Sequence, residues 1–354
     1  MTKPWLLYGA NGYTGQLTAE LAKKRGMTPI LAGRDATKIR PLAEKLGFEH
    51  RVFSLDDPAA LRQGLAGVAA VAHLAGPFSR TSKPMADACL AAGAHYLDIT
   101  GEQAVFEALL ARRDEAAKAG VAVITAVGFD VVPTDCLALM LKDELPDAVE
   151  LEMAICGFGG AVASFSRGTL KTMLENLSLG SAARIDGKLR PVPFTWRTPT
   201  IPFARGARPT VTVPWGDITT AFYTTGIPNI AVYMASKPAM YRGINLVRPL
   251  LRSRLLVGAL QQIVEWTVFG PKTQDRERGR TDLWGRVRNA KGETVSLTMV
   301  TPEGYTFTAD SVLRSVERVL AGEVRPGAWT PAVAFGKDFV REMDGVTLFP
   351  PVRG

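Results

Sequence analysis

Three glycines spaced three residues apart, Gly9, Gly12 and Gly15, follow the apolar run Trp5-Leu6-Leu7-Tyr8 and open a helical pattern that continues to Arg25. Each has a distinct use if a pyrophosphate binds there. Gly9 permits a tight turn out of the strand, Gly12 keeps a side chain away from the phosphates, and Gly15 lets the helix sit close to the sheet. Asn11, Tyr13 and Thr14 complete the loop against the same ligand. The helix start then directs free N–H groups and the positive end of its dipole at the anion. The spacing is GxxGxxG rather than GxGxxG, and a tight turn without a ligand would use the same residues. Its place between a first strand and a first helix is what makes it a dinucleotide signal.

The second strand discriminates between cofactors. A site for NAD ordinarily sets a carboxylate near the end of that strand to bond the ribose 2′-OH. Here the strand ends Leu31-Ala32-Gly33-Arg34, with Asp35 one place on. The Arg34 guanidinium suits a 2′-phosphate, Lys38 offers a second cation, and Asp35 is placed to cap the next helix. NADP(H) is therefore the expected cofactor, with a solvated Arg34 as the alternative. Ala75-Gly76-Pro77-Phe78 leaves the fourth strand where a ligand would cross the sheet edge. Gly76 would admit the cofactor and Phe78 would flank its nicotinamide; a simple strand-exit turn is the other reading.

Hydride transfer needs a proton donor or acceptor beside the cofactor. Asp98 and Glu102 follow the fifth strand, Asp130 and Asp135 the sixth, and Tyr96 lies within the fifth. A carboxylate desolvated there would act as a general acid, while bracing a loop or capping a helix would use the same residue types. Glu102, Asp130, Asp135 and Tyr96 are the catalytic candidates. His50, His73 and His95 lack metal-ligand spacing, and Cys89, Cys136 and Cys156 form no close pair, so no metal site and no disulfide framework are expected. Tyr233-Met234-Ala235-Ser236-Lys237 matches a Tyr-x-x-x-Lys pair but reads as a strand running into Pro238, which argues against it.

These residues need a scaffold. Short apolar runs alternate with helical stretches up to about residue 130, including Thr28–Ala32, Ala36–Leu46, Val68–Leu74, Pro84–Ala92 and Gln103–Lys118. That alternation predicts βαβ units around a parallel sheet. The later chain reads differently, with proline-broken extended pieces over 183–235, an Asp186-Gly187 turn, and an extended pair 284–290 and 293–301. The predicted fold class is α/β, a Rossmann-type doubly wound parallel sheet with a second α+β domain on a mostly antiparallel sheet. The expected domains are 1–135 for NADP binding, 136–305 for substrate and dimerisation, and 306–354 as a C-terminal helix and tail returning to the first domain. A 354-residue chain with 47% hydrophobic residues can fill two such cores.

The motifs from Tyr8 to Gly15, Ala32-Gly33-Arg34, Ala75 to Phe78, His95 to Glu102 and Gly128 to Asp135 together resemble the saccharopine dehydrogenase-like oxidoreductases. The branch is the one that includes trans-acting enoyl reductases. The resemblance implies an NADP-binding Rossmann domain, a second mixed domain and a homodimer. The expected function is an NADPH-dependent reductase acting on a C=C, C=O or C=N bond of a small-molecule or acyl substrate that is apolar and lipid-linked. A non-catalytic NADP(H)-binding partner protein and a saccharopine-type amino-acid dehydrogenase are the alternatives. The net charge of +8 is spread along the chain, which points to a basic surface and not to nucleic acid. No apolar leader precedes Trp5, so a cytoplasmic location is expected. Over 241–269, Arg242, Arg248, Arg252 and Arg254 interleave with Ile244, Val247, Leu251, Leu255, Leu260 and Ile263, interrupted by Pro249. That spacing predicts a basic amphipathic helix serving as cleft lid, dimer contact or peripheral membrane contact.

Overall fold

The computed structural model describes residues 3–158, 180–237, 253–267, 270–271 and 273–354, together with 166, 168, 170, 174, 239, 241 and 243. The chain divides into two compact units, Met1–Val132 with Tyr305–Phe339, and Pro133–Gly304 with Val340–Gly354. The expected third segment, 306–354, is thus split between the two units at Phe339.

The first unit is a seven-stranded parallel sheet. Its strands are β1 (Trp5–Tyr8), β2 (Ile30–Gly33), β3 (His50–Val52), β4 (Ala70–His73), β5 (His95–Asp98), β6 (Ala122–Ile124) and a late strand, Gly327–Trp329. Their order is Gly327–Trp329, β6, β5, β4, β1, β2, β3, and every pairing is parallel. Because β1, β2 and β4 are buried at every position, they are apolar apart from His73 at the end of β4 and do not alternate. The connecting helices are α1 (Tyr13–Lys24), α2 (Ala36–Leu46), α3 (Pro58–Gly64), α4 (Phe78–Ala92), α5 (Gln103–Leu110) and α6 (Arg113–Lys118). Strand order reverses between β1 and β4, so the loops leaving those two strands border the crevice where such sheets bind ligands.

Local chemistry sets most helix ends. Asp35 caps α2 and Asp57 caps α3, while Gly47 and Gly93 close α2 and α4 in the left-handed conformation. One expectation is corrected: α4 starts at Phe78, not Pro84, and carries Pro84 inside it. Its early start is held by a carboxylate from outside the helix, which periodicity does not reveal. The expected helix over 103–118 is interrupted at Ala111 and Arg112.

The second unit begins with α7 (Val132–Glu144) and β7 (Ala148–Phe158), then β8 (Ser181–Ile185), β9 (Lys188–Val192), β10 (Thr200–Phe203) and β11 (Gly206–Thr212). It continues with α8 (Asp217–Thr225), β12 (Asn229–Ala235), α9 (Arg254–Thr267), β13 (Arg280–Asn289) and β14 (Thr294–Pro302). The sheet is mixed: β12 and β7 run parallel, whereas β11/β12, β7/β13 and β13/β14 are antiparallel. Asp186 and Gly187, with φ of 50° and 73°, form the turn between β8 and β9, as their sequence predicts. Gly285 brings β13 against α7, where an added Cβ would lie 2.7 Å from Leu141. The stretch 217–225 was expected to be extended and is instead helical, with Thr219 and Thr220 fully buried and Gly226 ending it. Tertiary burial there overrides the weak helix preference of threonine.

The expected helix over 241–269 is seen as α9 alone. Arg242, Ile244, Val247, Arg248, Pro249, Leu251 and Arg252 lie outside the described residues. Among the described residues, no helix is long and apolar enough to cross a membrane.

Candidate cofactor and catalytic site

The three glycines of the β1–α1 loop each meet a different constraint. Gly9 has φ of +83°, and a Cβ there would sit 2.9 Å from Ala75 in the loop after β4. A Cβ on Gly15 would come within 2.3 Å of the Gly9 carbonyl oxygen and 2.8 Å of the Ala10 Cα. Gly12 is exposed, and its added Cβ would meet only the Gly9 oxygen at 3.2 Å. Gly9 and Gly15 therefore hold the loop together, while the space in front of Gly12 stays open to a ligand. Gly12 also caps α1 without any side-chain hydrogen bond, and the first turn has no acidic residue. Such an end favours an anion. Tyr13 stands edge-on to Tyr305, ring centroids 4.9 Å apart, and the Gln16 amide bonds the Asn11 carbonyl.

At the end of β2, Asp35 is occupied with capping. It accepts hydrogen bonds from the Thr37 N–H (3.0 Å) and hydroxyl (2.6 Å), which hold its carboxyl below the usual range, and it pairs with Lys38 at 3.3 Å. Lys38 is thus partly spoken for. Arg34 is exposed and makes no ion pair or hydrogen bond among the described residues. A free guanidinium beside a carboxylate already engaged fits a 2′-phosphate better than a 2′-hydroxyl. The open cradle at Gly12 and the unpaired Arg34 are what an NADP(H) site requires.

The loop Ala75-Gly76-Pro77 is only partly buried, with Gly76 exposed. The Thr81 hydroxyl ties it down by donating to the Ala75 carbonyl at 2.6 Å. The Phe78 ring packs into the core, edge-on to His73 at 5.4 Å, with exposed Gly76 beside it. Glu102 is also accounted for structurally. Its two oxygens accept from the Phe78 and Ser79 N–H groups at 2.7 and 2.9 Å, capping α4 from the start of α5.

Tyr96 and Asp98 form a buried network. The Tyr96 hydroxyl donates to Asp98 at 2.7 Å, and Asp98 also accepts from the Thr100 N–H, the Thr125 hydroxyl and the Ala126 N–H. Burial raises the Asp98 carboxyl to about 6 against the pull of these donors, and burial next to Asp98 raises the Tyr96 phenol well above its usual value. Both side chains are fully enclosed, and they fix the loops after β5 and β6. Asp135 is likewise enclosed, at the start of α7, and accepts from the Thr224 hydroxyl at 2.5 Å.

Asp130 is different. It is solvent-accessible, makes no hydrogen bond among the described residues, and lies over Gly101, where a Cβ would fall 2.8 Å from its Oδ2. Crowding by surrounding protein pushes its carboxyl up to about 6, a shift that its open face moderates by solvent screening. The loop that carries it is fixed from a distance. Thr308 accepts from the Phe129 N–H at 3.0 Å and the Ser311 hydroxyl donates to the Val127 carbonyl, both from the helix Gly304–Leu320. Thr308, Ser311 and Tyr305 carry no local motif, and only the folded contacts reveal their part. Among the described residues, no group of His, Cys, Asp and Glu could hold a metal ion, and Cys89, Cys136 and Cys156 are buried and not joined in disulfides.

With this geometry in view, similarity to known proteins is informative. Residues 5–124 match the family model of the saccharopine dehydrogenase NADP binding domain. A Mycobacterium tuberculosis protein provisionally named a trans-acting enoyl reductase is 36% identical over 186 residues, covering 50% of this chain and 44% of the relative. A trans-acting enoyl reductase of Mycobacterium leprae is 31% identical, covering 47% of this chain and 44% of the relative. The chain thus spans under half the length of these curated relatives. Saccharopine dehydrogenase (L-Glu forming) from Saccharomyces cerevisiae superposes over 99% of this chain and 100% of its own with a TM-score of 0.71 at 14% identity, a likeness of fold. Residues 5–124 are thus similar to the NADP-binding domain of the saccharopine dehydrogenases.

Proposed function

We propose that this chain is an NADPH-dependent reductase of an apolar acyl-type substrate, with a conjugated C=C bond as the acceptor and Asp130 as the proton donor. The observation that carries the reading is Asp130 itself. Of the carboxylates that follow the parallel strands, Asp98, Glu102 and Asp135 are committed to holding the fold, and Asp130 is left accessible with a raised pKa. The names of the mycobacterial relatives favour C=C over C=O or C=N as the bond reduced. The likeness to saccharopine dehydrogenase is one of fold and does not argue for an amino-acid substrate.

The chemistry divides between cofactor and chain. Bound NADPH supplies a hydride to the β-carbon of the acceptor. The chain orients the cofactor through the Gly12 cradle and Arg34, and it must protonate the α-carbon that gains the electron pair. Surrounding protein pushes the Asp130 carboxyl upward, and an apolar substrate above it would favour the protonated form further. Its open face allows the proton to be replaced from water.

The test is NADPH consumption with a 2-enoyl thioester. Asp130→Asn should lower kcat about 10²–10⁴-fold with NADPH affinity unchanged, and kcat/KM of the unaltered protein should fall as pH rises through the Asp130 pKa. Full activity in Asp130→Asn would remove Asp130 from the chemistry. Binding of NADPH without turnover of any acceptor would favour the non-catalytic partner role.

A further inference from the structure

Ala126 holds a backbone conformation that its own side chain does not favour. Among the described residues, Ala126 and Asp186 are the non-glycine residues with positive φ, at 61° and 50°. Asp186 sits in an exposed hairpin turn, whereas Ala126 is buried in a cluster with Phe106, Leu110 and Val131. An alanine Cβ in the left-handed region crowds the carbonyl that follows, so such a residue persists only where its surroundings hold it. One residue does most of the holding. Asp98 Oδ1 accepts from the Ala126 N–H at 2.8 Å and the Thr125 hydroxyl at 3.1 Å, and the Asp98 carbonyl accepts from the Val127 N–H at 2.7 Å. From the other side the Ser311 hydroxyl donates to the Val127 carbonyl. The chain then runs close against both neighbours at Gly128, where an added Cβ would lie 3.2 Å from Thr308 and 3.3 Å from Ile99. Two residues later it reaches Asp130.

We propose that Asp98 is a positioning residue for Asp130: by locking Ala126 in the left-handed conformation, it presets the loop that presents the Asp130 carboxyl over Gly101. The action is remote, since Asp98 is fully enclosed and works through the backbone of Ala126 and Val127. A carboxylate suits the task because its two oxygens take four donors, from Tyr96, Thr100, Thr125 and Ala126. Asp98→Asn keeps the shape but turns one acceptor into a donor and removes the charge that strengthens those bonds. The inference deepens the reading of Asp130 as proton donor, and it rests on that reading for its effect on turnover.

Surrounding protein raises the Asp130 carboxyl, so its titration, followed by the carboxyl carbon-13 signal of labelled aspartate, reports how closely the loop holds it. Asp98→Asn should lower that pKa toward the ordinary carboxylate value and speed amide exchange over 126–130. It should also lower kcat, by up to about 10²-fold, with NADPH affinity unchanged. Adding Ala126→Gly, which accepts positive φ without support, should restore most of the titration and of kcat, a repair that general loss of stability would not show. Ser311→Ala, a milder change, should shift the Asp130 titration the same way and be repaired by the same second substitution, and it serves where Asp98→Asn does not fold. In the unaltered protein, the N–H to Hα coupling of Ala126 should report positive φ. An Asp130 titration that both variants leave unchanged, a shift that Ala126→Gly does not repair, or a negative φ at Ala126 overturns the proposal. Absence of turnover by the unaltered protein removes the reductase reading and leaves the titrations to decide this one.

Discussion

Arg34 and His73 show how much a single side chain can decide. Arg34 stands free at the end of β2 while Asp35 is turned into the α2 cap, so the preference between cofactors rests on one guanidinium. Arg34→Ala should cost NADPH affinity ~1.5–3 kcal/mol and leave NADH affinity nearly unchanged; titration of both cofactors reads this directly. His73 is fully buried among Tyr8, Phe78 and Tyr96, and neither ring nitrogen has a hydrogen-bond partner among the described residues. Burial lowers its pKa to about 3, against about 6.5 in an unfolded chain. The unfolded state therefore takes up a proton first, and stability contributed by neutral His73 is lost as pH falls from about 6.5 toward 3. Asp98, with a raised folded pKa, works in the opposite sense below about 6. Denaturant melts at pH 7 and pH 4.5 should therefore show His73→Leu losing ~2–3 kcal/mol less on acidification than the unaltered protein. An equal loss in both would mean that His73 is hydrated or paired.

Elements meet through contacts that their own sequences only partly announce. Gly15→Ala would push a methyl group into the Gly9 carbonyl and Ala10, so it should destabilise the first unit by ~1–3 kcal/mol in thermal unfolding. Gly12→Val should instead leave stability near normal and abolish NADPH binding, because its side chain enters open space that the phosphates require. Glu102→Ala leaves two N–H groups of α4 uncapped and should cost ~1–2 kcal/mol, again read by unfolding. The glycine loop was legible because each glycine answers a local backbone requirement, as were Arg34 and the capping Asp35. The capping role of Glu102 was not legible because its partners, Phe78 and Ser79, are more than twenty residues away. Helix α8 was missed for a related reason: its threonines are poor helix formers made helical by burial.

At the scale of the molecule, the parallel sheet was readable from alternating apolar and helical stretches, and its strand order places the β1 and β4 loops at the reversal point. The late strand Gly327–Trp329 and the helix Gly304–Leu320 return to complete that unit, and the side chains that fix the Asp130 loop come from that helix. Sequence alone could not pair residues 127 and 311, since that contact depends on the chain leaving for a second unit and coming back. The matched relatives carry names that point to reduction, but they share under half their length with this chain, so activity must be shown on the chain itself. The most direct measurement is a single turnover of a 2-enoyl thioester with NADPH deuterated at the transferred position, in ordinary water and in heavy water. The account predicts one deuterium at the β-carbon from the cofactor, and one at the α-carbon only in heavy water, with Asp130→Asn slowing both about 10²–10⁴-fold. An NADPH complex that transfers no label to any acyl acceptor would contradict it.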